Sequence, residues 1–211
     1  KEKMQDSKEL EKHIYEELKG RIKEDDESYP VKIDDYYYFS RLVKGKDYPI
    51  FYRKQTTEEL ILDVNILAEG KTSFALGDMS ISKDHSKLAY AYDSDGSERY
   101  NIYIRDLDRG ADLKDIVTDT IGDIVWNKSG SGFFYLKLNK NWRPDQVFFH
   151  VLGEDVKNDT LIYKESDQGF HVGIDRSSSD KYLLINTGNS TSNEVLYLDL
   201  EKINNPEIAI E

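Results

Sequence analysis

The sequence predicts a mainly β protein: a partial β-propeller of about four blades, preceded by one N-terminal α-helix. Three features carry that expectation. Short aromatic and β-branched runs alternate with turn residues, hairpin signals follow one another in series, and the pattern returns after about 46 residues. With 15 Tyr and 8 Phe among 211 residues, large rings are plentiful. They fit a pleated, half-buried surface better than most helix faces. Hydrophobic residues make up 38% of the chain, enough for a core when so many are aromatic or β-branched.

The helix comes first. From Asp6 to about Asp25, Leu10, Ile14, Leu18 and Ile22 recur every fourth position with Tyr15 beside them and charged residues between, which is one amphipathic helix with a single apolar stripe. Asp6 and Glu9 have capping-box spacing. The polar run Lys23 to Ser28 reads as a linker, and Tyr29-Pro30 ends any helix because a residue before proline is pushed out of the α region.

Strand periodicity takes over after Pro30. Tyr36 to Phe39 and Ile50 to Tyr52, around Gly45-Lys46, read as a hairpin. Leu88 to Tyr92 and Tyr100 to Ile104 read as another, with Asp95-Gly96 supplying the positive φ of a turn. Three segments then align: Met79 to Tyr90 with Asn101 to Leu107, Ile124 to Tyr135 with Gln146 to Gly153, and Val172 to Ile185 with Glu194 to Leu200. The expected organisation is a helical segment and linker at 1–29 and blades at about 30–72, 73–119, 120–165 and 166–211, the first shorter and containing the strand Glu59 to Asp63. A repeat in the forties with four short strands per unit favours a propeller over a sandwich, which would show shorter turn-to-turn spacing without it.

Composition closes other classes. The net charge is −12, with 41 acidic against 29 basic side chains. That balance argues against a nucleic-acid partner, and its plainest meaning is a solvated surface. With no Cys there is no disulfide framework, thiolate zinc site or cysteine nucleophile. No apolar run approaches a membrane span, and no cofactor motif is present. The chain is expected to be soluble and cytoplasmic; because it opens on Lys1, a cleaved upstream segment and a periplasmic location stay open.

The strings Tyr15 to Leu18, Gly20 to Lys23, Tyr36 to Arg41, Gly45 to Arg53, Glu59 to Asn65 and Leu67 to Gly70 resemble the start of the oligopeptidase B group of the prolyl oligopeptidase family of serine peptidases. So, in order, do Trp142 to Val147, His150 to Gly153 and Ser192 to Val195. The resemblance runs through nearly the whole chain. It implies a helical segment and a seven-bladed propeller with unzipped first and last blades, followed by a C-terminal α/β-hydrolase domain that carries Ser, Asp and His.

The expected function is therefore the non-catalytic gating portion of an oligopeptidase that hydrolyses short peptides after Arg or Lys. The alternative is a free-standing propeller-like module that binds a protein or peptide. The nearest string to a nucleophile elbow is Gly188-Asn189-Ser190-Thr191-Ser192, which ends in Ser and lies between two strands. His13, His85, His150 and His171 lack triad or metal spacing and read as surface or half-buried residues. Asp93 to Glu98 has a superficial likeness to a calcium loop but reads better as a hairpin turn.

In the family, the propeller face formed by the connections after each second strand looks toward the hydrolase domain. Its loops here are Asp93 to Arg99, Asn139 to Gln146 and Gly188 to Asn193, and Arg99, Trp142 and Arg143 are the candidates for interdomain gate contacts. The plain alternative is that they are solvent-exposed loop residues with no role. Partners expected from the resemblance are the hydrolase domain and, for the complete protein, short basic peptides. Exposed blade edges would also favour self-association.

Overall fold

The apolar repeat Leu10, Ile14, Leu18 folds as helix α1 (Lys8–Gly20) in a computed structural model that describes residues 7–201. The helix stops sooner than its periodicity suggests. The amides of Arg21 and Ile22 bond the Leu18 and Lys19 carbonyls and close the last turn, so Ile22 lies beyond it. Asp6 of the expected capping box lies outside the described residues, and Ser7 at the N-cap makes no side-chain capping bond. No described residue of α1 is buried; Leu10 is 60% and Leu18 57% exposed.

The chain divides into two compact units, one ending at Glu69 and one beginning at Gly70. In the first, strands β1 (Asp26–Glu27), β2 (Val31–Ile33), β3 (Tyr36–Leu42), β4 (Ile50–Lys54) and β5 (Glu58–Asp63) form one antiparallel sheet. The charged run expected to be a linker thus contributes β1, which pairs with β3. Its acids have partners there. Arg41 Nε donates to Glu27 at 2.6 Å, the rest of its guanidinium forks onto Glu58, and Asp25 accepts the Lys44 amide at 2.6 Å. Arg41 also covers the rings of Phe39 and Tyr52 at 5.1 and 4.7 Å. A short helix α2 (Val64–Ala68) follows, where β-branched residues give no helix signal. Its start is fixed by Asp63, whose carboxylate accepts the Asn65 amide at 2.9 Å.

The second unit holds one seven-stranded antiparallel sheet in chain order: β6 (Ala75–Ile81), β7 (Lys87–Asp93), β8 (Tyr100–Asp106), β9 (Ala111–Trp126), β10 (Gly132–Leu138), β11 (Pro144–Val151) and β12 (Thr160–Lys164). A single 3-10 turn, Val156–Asn158, precedes β12. Strands β13 (His171–Arg176), β14 (Tyr182–Gly188) and β15 (Asn193–Asp199) form a further sheet. The expected 119/120 boundary between copies falls inside β9, a strand of 16 residues whose first part pairs with β8 and second part with β10. The strand redirects without a break. Thr120 Oγ1 donates to the Tyr100 carbonyl at 2.9 Å and accepts the Gly122 amide at 3.1 Å. Gly122 takes φ +98°, a value that L side chains rarely adopt.

The repeat reappears as geometry. Ser82, Asn127 and Ser177 each donate their amide to the carbonyl five residues on, at 2.9, 3.0 and 2.9 Å, closing the same turn in three copies. Between copies, the Asp78 carboxylate accepts the Ile124 amide at 3.1 Å, and Trp126 Nε1–H donates to the Ser80 carbonyl at 2.9 Å; each pair is 46 residues apart. Arg176 continues the series by donating to the Trp126 carbonyl at 3.1 Å. One core cluster centres on Trp126, Phe133 and Tyr135 with Ile102 and Ile104, and a second on Phe134, Leu136, Leu183 and Ile185. The chain is thus mainly β and is built as part of a propeller. No helix of the described residues is long and apolar enough to cross a membrane.

Candidate functional site

The loops expected to carry function lie between second and third strands of successive blades, and the structure joins two of them. Arg99, at the end of the β7–β8 loop, places its guanidinium 4.4 Å from the centre of the Trp142 ring in the β10–β11 loop and pairs with Asp119 at 2.9 Å. Arg143, next to Trp142, donates to the Gln168 carbonyl at 2.6 Å, in the segment that enters β13. The three gate candidates therefore tie together loops of three consecutive blades. Nothing places the Gly188 to Asn193 loop in the same cluster.

Each loop is built by a short polar side chain at its base. In the first, Asp93 is 3% exposed and accepts the amides of Asp95, Gly96 and Glu98 at 2.9, 3.0 and 2.8 Å. The backbone bond from Asp95 is the largest of the influences that hold its carboxyl below the ordinary range. Asp93 is thus a turn organiser, its oxygens occupied by amides; Gly96 at φ +79° completes the turn. In the second, Asn139 Oδ1 accepts the amides of Asn141 and Arg143 at 2.8 and 3.2 Å. Trp142 sits at φ 62°, strained for so large a residue, and is half exposed. The loop thus holds an aromatic ring in a disfavoured backbone state, half exposed and beneath the Arg99 guanidinium.

A second feature lies on the first strands of the blades, where the sequence reading singled out nothing. Asp78 on β6, Asp123 on β9 and Asp175 on β13 stand on the first strands of three successive blades and feel one another's charge. Burial raises Asp123, and the charges of Asp78 and Asp175 raise it further, to about 6. Burial likewise raises Asp78, with bonds from the Ile124 and Met79 amides opposing. Three carboxyl groups within reach of one another's charge thus form an acidic strip along these first strands. Among the described residues no group of three or more His, Cys, Asp or Glu is arranged to hold a metal ion.

A stability effect follows. A carboxyl raised on folding supports the fold fully below its unfolded value near 3.8 and loses that support as pH rises through about 6. Asp123→Asn should therefore raise the unfolding free energy at pH 7.5, by about 1 kcal/mol after discounting for the water that reaches the group, and change it little at pH 4. A variant equally stabilised at both pH values would show that charge is not the cause.

The remaining candidates resolve simply. Ser190 lies in the β14–β15 turn, where Asn189 Oδ1 accepts the Thr191 and Ser192 amides at 2.9 and 3.0 Å; strands flank it on both sides, without the helix of an elbow. His13 and His171 are exposed. Contrary to expectation, His85 is 9% exposed, and His150 is fully buried with both ring nitrogens facing carboxylates. Its partners are distant in sequence, so residue spacing gave no sign of them.

The family model for the prolyl oligopeptidase N-terminal β-propeller domain matches residues 1–210. Protease 2 of Moraxella lacunata is 36% identical over 199 residues, which cover 89% of this chain and 29% of that protein. Dipeptidyl aminopeptidase BI of Pseudoxanthomonas mexicana is 36% identical over 208 residues, with the same coverage of 89% and 29%. The chain spans under a third of the length of these curated relatives. Among solved structures, oligopeptidase B from Leishmania major superposes with a TM-score of 0.92 at 30% identity, over 99% of this chain and 30% of that one. Oligopeptidase B from Trypanosoma brucei, with covalently bound antipain in a closed form, gives 0.89 at 32% identity.

Proposed function

This chain belongs to the prolyl oligopeptidase family, as its N-terminal β-propeller portion, and on that premise we propose that it is the non-catalytic, access-restricting part of a serine oligopeptidase of the oligopeptidase B kind. The complete protein would hydrolyse short peptides after Arg or Lys through a C-terminal hydrolase domain, with the propeller limiting entry by size. The observation that carries this reading is the superposition on oligopeptidase B from Leishmania major, which covers 99% of this chain but 30% of that protein. The portion shared is the propeller portion, and catalysis would belong to the rest. The acidic strip of Asp78, Asp123 and Asp175 supports a basic substrate, since it lowers the energy of a cationic peptide close to it.

The cluster of Arg99, Trp142 and Arg143 would serve as a gate by holding the loops of consecutive blades together. Breaking it should loosen the entrance. In the complete protein, Arg99→Glu combined with Arg143→Glu removes a cation–π contact and reverses two charges, an energy of roughly 1 kcal/mol or more. Hydrolysis of a long arginine-containing peptide should then rise about fivefold relative to a short one. An unchanged ratio of kcat/KM for long and short peptides would remove these residues from the gate.

A further inference from the structure

His150 on β11 is fully buried and lies between two acids from different parts of the chain. Its Nδ1 is 2.7 Å from Asp159 Oδ1 and its Nε2 is 3.3 Å from Asp115 Oδ1. The two carboxylate side chains are themselves 3% and 8% exposed. Each has a second partner: Asp159 Oδ2 accepts the Tyr135 hydroxyl at 2.7 Å, and Asp115 accepts the Gly153 amide. The Phe133 ring lies beside the imidazole, with centres 5.3 Å apart.

A neutral imidazole has one N–H, so one of its nitrogens would turn a lone pair toward a carboxylate oxygen with little water to screen the repulsion. The doubly protonated ring satisfies both acids. The bridge also crosses between blades. Asp115 belongs to the part of β9 that pairs with β8 and completes one blade, whereas His150 and Asp159 belong to the next.

We propose that His150 is a protonation-set clasp: its imidazolium fastens the outer strand of the blade at 73–119 to the blade at 120–165, and loss of the proton frees the Asp115 arm. The groups that face the ring fit this assignment. They are Asp115 from β9, Asp159 from the turn before β12, Tyr135 from β10 acting through Asp159, and the Gly153 amide after β11. Burial alone would lower an imidazole, but the hydrogen bonds and charges of Asp159, then Asp115, outweigh it and raise His150 above its ordinary value of 6.5. The support it gives is therefore complete below about 6.5 and fades as pH rises through the higher folded value.

The test is an NMR titration of the His150 ring in the full chain, wild type and Asp115→Asn. In the wild type, both ring nitrogens should carry protons at pH 6.5 and the midpoint should lie above that value. Asp115→Asn should lower the midpoint by about one pH unit or more, because it removes one of two adjacent negative charges. Amide exchange at residues 112–118 and at Gly153, corrected for its intrinsic pH dependence, should accelerate as the wild type passes its midpoint, while the centres of β10 and β11 stay protected. A singly protonated ring at pH 6.5, an unmoved midpoint in Asp115→Asn, or exchange at 112–118 that ignores the His150 titration would each overturn the proposal. Should Asp115→Asn fail to fold, the wild-type titration and exchange decide it alone.

Discussion

Replacing Trp126 with alanine is expected to lower the unfolding free energy of the second unit by about 3–5 kcal/mol, the cost of emptying a large, fully buried aromatic site. Domains of ordinary stability hold about 5–15 kcal/mol in all, so the variant should be close to unfolding at physiological temperature. Two terms combine. The indole is completely inaccessible and meets Phe133 edge-on with ring centres 5.6 Å apart, inside the cluster that includes Ile102 and Ile104. Its Nε1–H also satisfies the Ser80 carbonyl of the preceding blade at 2.9 Å, a bond that alanine cannot replace. Trp126→Phe separates the two terms: it keeps most of the ring and loses the donor, and should cost about 1–2 kcal/mol. Chemical denaturation followed by far-UV circular dichroism measures both. A loss below about 1 kcal/mol for Trp126→Ala would mean that the blades do not rely on this contact.

Trp126 also shows how far the sequence could be read. Its position in the second aligned copy matched Ile81 in the first, and the structure links the two copies by a hydrogen bond from the indole to the neighbouring Ser80 carbonyl, 46 residues away in sequence. The hairpins were legible because turn residues punctuate β-branched runs. That one continuous strand spans the expected 119/120 boundary was not, because β9 turns from β8 to β10 at Thr120 with no proline to mark it. Helix α2 was hidden because Val64 and Ile66 favour strands, and it is decided by the Asp63 cap and the burial of Val64. Strand β1 was hidden in a charged run whose acids find Arg41 and the Lys44 amide only after folding.

The candidate site was legible as residues but not as an arrangement. Arg99, Trp142 and Arg143 could be placed on loops, yet the stacking of Arg99 on Trp142 joins residues 43 positions apart and depends on the positive φ that Asn139 helps impose. The acidic strip was missed because its three members stand on separate strands, at sites that are unremarkable one at a time. His150 was misjudged for the same reason: Asp115 is 35 residues before it and Asp159 nine after it. Patterns within one element are visible in sequence, whereas charge pairs between elements are set by the fold.

The second large effect is all-or-none and concerns catalysis. If the propeller portion carries no catalytic centre, residues 1–211 should give no hydrolysis, because transition-state stabilisation needs an activated nucleophile with its base and oxyanion donors. The described part of the chain offers Ser190 in a strand hairpin and His150 committed to two carboxylates. The most direct measurement is an assay of the purified chain on a short fluorogenic arginyl peptide, with a fluorophosphonate probe for reactive serine run in parallel. Turnover no greater than buffer and no labelled serine are expected; hydrolysis that co-purifies with the chain and disappears in Ser190→Ala would place a catalytic centre in the propeller portion.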